Sequence, residues 1–259
     1  MLVVKVPLLN ALGKSKGCEK TPNSIIKAME EIYTNESGKQ VSFETAEIKV
    51  NNSNVKESNE LIQKKASEIF DKNRPVVFLG GDHSITYPLM KAFSKKRDAG
   101  LVIFDAHADC VNNMLEPTHE DWLRTLIETG FNPANVILIG ARNIDPVEAD
   151  FLLKNHINNF SMKELFENLH RSCDLIMESV RNFDNVYVSI DIDAIDPAFA
   201  PGTGYPELGG LTSREFLYLI QRMKRLNNLK AFDIVEINPD KDINDITVKL
   251  GAKILGELL

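Results

Sequence analysis

Leu101-Val102-Ile103-Phe104-Asp105-Ala106-His107-Ala108-Asp109 decides the fold class: an apolar run passes directly into two carboxylates flanking an imidazole. The apolar part reads as a strand buried on both faces. Asp105, His107 and Asp109 alternate, so they share one side while the backbone stays extended. The pattern recurs twice. Val76-Val77-Phe78-Leu79 leads into Gly80-Gly81-Asp82-His83-Ser84, and Val186-Tyr187-Val188 leads into Ser189-Ile190-Asp191-Ile192-Asp193. Ionised carboxylates at the ends of buried strands are costly unless positive charge meets them. Asp105, Asp109, Asp191 and Asp193, with His83 and His107, therefore point to a pair of divalent metal ions. Carboxylate and imidazole without thiolate suit Mn²⁺, with Fe²⁺, Co²⁺, Ni²⁺ and Zn²⁺ as alternatives. Two bridged ions would lower the pKa of a shared water and yield hydroxide near neutral pH. Gly80 and Gly81 let backbone approach a crowded site. Asp82 has a plainer reading as a helix cap.

Outward from these clusters, short apolar runs alternate with amphipathic stretches. Strands are expected near 2–6, 75–79, 101–105, 135–139, 185–190 and 230–235, with a weaker one within 41–48. Helices are expected near 22–33, 56–71, 84–97, 120–129, 146–155, 162–181, 212–226 and 244–258, with start signals at Thr21-Pro22 and Thr212-Ser213-Arg214-Glu215. This order predicts an α/β fold with a mainly parallel sheet covered on both faces by helices. In such sheets ligands bind beyond the carboxyl ends of the strands, where all three clusters fall. No linker or repeat interrupts the chain, so residues 1–259 are expected to form a single domain.

Composition sets the outer limits. The chain has 259 residues, 43% hydrophobic and 26% charged, with net charge −7 and pI about 5.4. That is ordinary for a globular protein, gives no support to nucleic-acid binding, and is compatible with a cationic substrate. No apolar run approaches a membrane helix, and the N-terminus is too short an apolar stretch for a signal peptide. Cys18, Cys110 and Cys173 are odd in number and widely spaced. They indicate neither a disulfide framework nor a thiolate site and suit the cytoplasm; Cys110 reads as a packing residue.

Other residues carry chemistry. His119 follows Asp109 through the loop Asn112-Asn113-Met114-Leu115-Glu116-Pro117-Thr118, just before a helix with Trp122 and Leu123. A histidine there suits proton shuttling; its alternative is helix capping. His156 and His170 read as solvated. Glu236 interrupts the apolar run in Phe232-Asp233-Ile234-Val235-Glu236-Ile237-Asn238-Pro239, which suits a site rather than a wet face. The turn-rich loop from Asp196 to Gly210 suits a pocket wall.

Together, GGDHS, DAHAD, SIDIDAIDP, PGTGYPELGGL and DIVEINP, in that order, resemble the ureohydrolase family of arginases, agmatinases and related guanidino or formimino hydrolases. The resemblance spans most of the chain, from Gly17-Cys18-Glu19 to the last helix. It implies a three-layer α/β/α sandwich with a binuclear manganese cluster. His83, Asp105, Asp109 and Asp191 would hold one ion; Asp105, His107, Asp191 and Asp193 would hold the other. Asp109 would orient hydroxide, Glu236 would pair with the substrate guanidinium, and His119 matches the proton-shuttling histidine. A homo-oligomer, trimer or hexamer, is also implied. The short gap from Asp109 to His119, and Glu207 in its loop, resemble agmatinases. Asp145-Pro146-Val147-Glu148 instead resembles the arginase segment that recognises an α-amino group, though Asp145 and Glu148 would equally attract the free amine of agmatine. Tyr205 departs from the usual Thr beside the guanidinium. Agmatine is therefore the leading expectation and arginine, or another guanidino or formimino compound, the runner-up. A binuclear phosphoesterase and a non-catalytic metal-bound scaffold are the other classes, but no Arg or Lys cluster near the motifs serves to clamp phosphate.

Overall fold

The computed structural model describes residues 1–10, 13–95, 98–113 and 115–259. Among them, strands β1 (Leu2–Val6), β2 (Glu44–Glu47), β3 (Val76–Gly80), β4 (Ala99–Phe104), β5 (Val136–Ile139), β6 (Asn158–Phe160), β7 (Asn185–Asp191) and β8 (Leu229–Val235) form one sheet. Its order is β2-β1-β3-β8-β7-β4-β5-β6, and every pairing is parallel. The helices are α1 (Thr21–Ala28), α2 (Val55–Phe70), α3 (Thr86–Ser94), α4 (Trp122–Glu128), α5 (Pro146–Lys154), α6 (Met162–Glu167), α7 (Leu169–Arg181), α8 (Ser213–Met223) and α9 (Ile246–Leu258). None is long and apolar enough to cross a membrane.

The three layers follow from period two. Val77, Leu79, Val102, Phe104, Val188 and Ile190 face one apolar core, shared with Ile25 of α1, Ile176 of α7, Phe216 of α8 and Ile254 of α9. Val76, Phe78, Leu101 and Ile103 face the other, shared with Ile62 of α2, Phe93 of α3, Trp122 of α4 and Phe151 of α5. Alternate residues of one continuous apolar run thus feed opposite cores, which is why these strands lack a polar face.

Three expectations need correction. The helix expected over 162–181 is two helices, divided at Asn168, whose side chain accepts from Arg171 N and starts α7. A side chain that caps competes with helix continuation. The helix expected over 22–33 ends its α-helical part at Ala28 and tightens into a 3₁₀ turn, Met29–Glu31. Strand β6 was not expected: Asn158-Asn159-Phe160 has no apolar run and joins by backbone pairing to β5. The weaker strand within 41–48 is β2, exposed along its length at the sheet edge. In the helix expected over 84–97, residues 96 and 97 lie outside the described residues, as does Met114 of the loop before His119.

The middle of the sheet sets up the site. Strands β3, β8, β7 and β4 are successive neighbours, so their carboxyl ends open side by side. Glycine keeps the first turn tight: a Cβ on Gly81 would fall 2.0 Å from Leu8 O. The Gly81 N–H donates to Val6 O, and Gly81 O accepts from Glu236 N, locking the ends of β1, β3 and β8 together.

Candidate metal centre and substrate pocket

At these strand ends the cluster closes around two imidazoles. His83 Nδ1 lies 3.1 Å from Asp105 Oδ2, 2.9 Å from Asp109 Oδ2 and 3.3 Å from Asp191 Oδ2. His107 Nδ1 lies 3.0 Å from Asp193 Oδ2 and 3.5 Å from Asp105 Oδ1. Each aspartate has one oxygen held by an N–H donor. Asp105 Oδ1 accepts from His107 N, Asp191 Oδ1 from Asp193 N, Asp193 Oδ1 from Ala106 N, and Asp109 Oδ2 from Trp122 Nε1. Asp109 is held in the left-handed region, φ 50°, by the turn that brings it back to the cluster. Such strain is tolerated where surrounding contacts enforce it.

The donor set fits divalent cations. His83 Nδ1 and Asp105 Oδ2 are buried without a hydrogen-bond partner, although carboxylates surround the nitrogen. One proton on a ring nitrogen cannot serve three carboxylates; a central cation can. The electrostatics agree. Burial, with the Asp105 charge, pushes Asp109 up to about 7. Burial and the neighbouring carboxylates hold Asp191 well above the carboxylate range. Burial opposes charge on His83, yet Asp105, Asp109 and Asp191 hold it well above its ordinary value. Two sets meet the spacing of a metal site, His83 with Asp105 and Asp109, and Asp105 with His107 and Asp193; Asp105 belongs to both. Asp82 stays outside them. It caps the turn at Ser84 and accepts from Asn10 N.

A cavity of ≈ 280 Å³ opens over the cluster, lined by His107, Asp109, Asp191 and Asp193 on its floor and by His119, Tyr205, Asp145, Glu148 and Glu236 among its walls. Glu236 is buried at φ 62°. Its Oε1 accepts from His83 N at 2.9 Å and faces His119 Nδ1 at 3.4 Å; its Oε2 accepts from Ser15 Oγ at 3.0 Å. Burial opposes charge on both partners, but the pair prevails: Glu236 is lowered, and His119 rises to about 9. Tyr205 stacks obliquely on His119, ring centroids 5.2 Å apart.

The remaining wall carboxylates are engaged locally. Asp145 and Glu148 form the capping box of α5, and Glu148 also accepts from Cys110 N. Glu207 does not line the cavity; it accepts from Asn143 Nδ2 and lies 3.4 Å from His107 Nε2. Sequence reading missed Ser15, whose neighbours give no hint of a site, and the role of Trp122 as donor to Asp109. The single Trp close behind the cluster was a usable signal for the latter. His156 and His170 are exposed and distant from the site's lining.

Compared with known families, the sequence matches the arginase family over residues 1–259. The chain belongs to the arginase family. Among curated relatives, guanidinobutyrase of Pseudomonas aeruginosa is 35% identical over 226 residues, covering 82% of this chain and 68% of that protein. Agmatinase of Escherichia coli is 33% identical over 210 residues, covering 79% and 65%. Among solved structures, formimidoylglutamase of Bacillus subtilis superposes with a TM-score of 0.93 at 25% identity, covering 99% of this chain and 85% of that one. Arginase-family members are binuclear metal hydrolases of amidino C–N bonds, and the His/Asp cluster here has the composition that chemistry needs. Their names also show that one fold serves several guanidino and formimino substrates.

Proposed function

We propose that the chain is a single-domain manganese hydrolase of a guanidino compound, with agmatine, cleaved to putrescine and urea, as the preferred substrate. One observation carries the choice of agmatine: the cavity is lined by Glu120, Asp145, Glu148 and Glu236 in addition to the cluster's own aspartates, and no Lys or Arg is among its described lining residues. A guanidinium at Glu236 and a second cation near Asp145, Glu148 and Glu120 complement such a lining; a carboxylate does not.

His83, Asp105, Asp109 and Asp191 would hold one ion, and Asp105, His107, Asp191 and Asp193 the other. Bound there, they would supply a water activated as nucleophile near neutral pH. Glu236 binds the planar guanidinium and turns its carbon toward the cluster. Asp109, steadied by Trp122, orients the nucleophile and passes a proton to the leaving amine as the C–N bond breaks. His119 completes the proton balance. A guanidinium docking on Glu236 competes with His119 for Oε1, so the imidazole proton is loosened when an amine needs one. Tyr205, beside His119, narrows the entrance.

A carboxylated guanidino substrate is the second reading. Exposed Lys14 places Nζ 5.3 Å from the centre of the Tyr205 ring, within reach of a carboxylate at the mouth. Turnover by the Mn²⁺-loaded protein tests both, read as urea release from agmatine, arginine, guanidinobutyrate and guanidinopropionate and as formamide release from formiminoglutamate. Preference for agmatine is the expected result; preference for an acid moves the assignment to Lys14. No turnover of any of them refutes a guanidino or formimino hydrolase. The buried free cysteines suit a cytoplasmic protein, and the family resemblance supports a homo-oligomer, trimer or hexamer.

A further inference from the structure

His83 makes its one well-formed side-chain hydrogen bond away from the carboxylates: Nε2 lies 2.9 Å from Ser189 Oγ. Behind Ser189 stands Asp233, in the interior of β8 and without solvent exposure. Neither lines the cavity. A buried carboxylate must have its lone pairs used, and donors surround this one. Oδ1 accepts from Ser189 Oγ at 2.6 Å and Ile190 N at 3.3 Å; Oδ2 accepts from Tyr187 Oη at 2.8 Å and Thr86 Oγ1 at 2.9 Å.

An ionised carboxylate only accepts, and a serine hydroxyl has one proton. With that proton on Asp233, Ser189 can only accept from His83. In the neutral ring that a metal ion requires, Nε2 then carries the hydrogen, and Nδ1 is left with its lone pair toward the space between Asp105, Asp109 and Asp191. Thr86 Oγ1, 3.3 Å from Ser189 Oγ, does not compete, because its own proton points to Asp233. If Ser189 instead donated to Nε2, the hydrogen would move to Nδ1 and His83 could not ligate. We infer that Asp233 is a positioning residue that, through Ser189, fixes the His83 tautomer able to bind metal. This rests on the metal-centre reading; a partner behind a ligating histidine orients it and raises its affinity for metal.

Calorimetric titration of the metal-free full chain with Mn²⁺ tests it. Wild type should take up two ions. Ser189→Ala and Asp233→Asn should each weaken one of them, by roughly 10–100-fold, with the other retained. The double variant should bind no worse than Ser189→Ala, because both act through one chain of hydrogen bonds. Tyr187→Phe removes a donor to Asp233 but leaves the link to Ser189, and should keep both ions. Circular dichroism checks folding. If Asp233→Asn does not fold, Ser189→Ala carries the test alone, since three donors still serve Asp233. Unchanged binding in Ser189→Ala, equal weakening of both ions, or additive losses in the double variant would overturn the relay. A wild type that takes up no Mn²⁺ would instead overturn the metal centre, and the relay with it.

Discussion

Changing Glu236 to Gln removes one negative charge while leaving its surroundings nearly intact. The amide oxygen can still accept from His83 N, and the amide nitrogen can meet Ser15 Oγ, so backbone and packing should hold. The charge is worth a calculable amount. At the 3.4 Å between His119 Nδ1 and Glu236 Oε1, unit charges attract by about 5 kcal/mol at an effective dielectric of about 20. The rise of His119 from 6.5 to about 9 corresponds to about 3 kcal/mol, the balance after burial opposes the charge. A guanidinium held by the same carboxylate should lose a similar amount. Glu236→Gln should therefore lower kcat/KM for agmatine roughly 100-fold, with metal content unchanged. In the same variant His119 should titrate clearly lower, because burial then opposes its charge with only the more distant carboxylates, Asp109 and Asp82, left to support it. Urea-release kinetics and histidine NMR of the metal-free protein read the two effects. A change in kcat/KM under about threefold, or His119 still titrating near 9, would show that Glu236 is not the charge that organises the pocket.

Other outcomes are equally definite. Asp191→Ala should weaken binding of both metal ions, since Asp191 is the second proposed bridge; metal analysis showing two ions retained would refute the ligand assignment. His119→Ala should lower kcat by about 10²–10⁴-fold with metal content intact. His119 also bears on stability. Its pKa in the folded metal-free chain is raised to about 9, so the pair with Glu236 stabilises fully below about pH 6.5 and the contribution disappears as pH rises through about 9. In denaturant melts, the stability difference between wild type and His119→Ala should shrink through that range to a constant packing term. Agmatine should exceed arginine in kcat/KM by about tenfold or more, or about 1.4 kcal/mol; comparable hydrolysis of arginine would assign Asp145 and Glu148 to reading an α-amino group.

What could be read from sequence was whatever depends on periodicity. Runs such as Leu101–Phe104 must be buried on both faces, and alternate polar residues after them must share a side, so the sheet and the convergence of the His and Asp side chains were both legible. Partner choice was not. Glu148 was expected to face substrate, but also caps α5 and accepts from Cys110 N. Glu207 was expected in the pocket, but turns to Asn143 and His107. Neither arrangement follows from spacing, because each depends on loops meeting in three dimensions. Nothing in the spacing around Asp233 assigns it a role. It lies on a strand, three residues before Glu236, and only its donors from β7 and α3 reveal what it does. Strand β6 was invisible because backbone pairing at an edge demands little of its side chains.

The place of β8 in the sheet has a consequence for assembly. It is the last strand in sequence, yet it lies between β3 and β7, which do not pair with each other. Before it inserts, the chain offers two separate ribbons, β2-β1-β3 and β7-β4-β5-β6. His83 belongs to the first; Asp105, His107, Asp109, Asp191 and Asp193 belong to the second. A strand that contributes no proposed metal ligand is therefore the wedge that brings the ligands into register. Such late, long-range closure is slow, and an ion reaching from His83 to the aspartates would span the inserted strand like a clasp, favouring the closed sheet by mass action. Metal uptake should thus report completion of folding, and a nascent chain that has not yet delivered β8 should remain both open and inert.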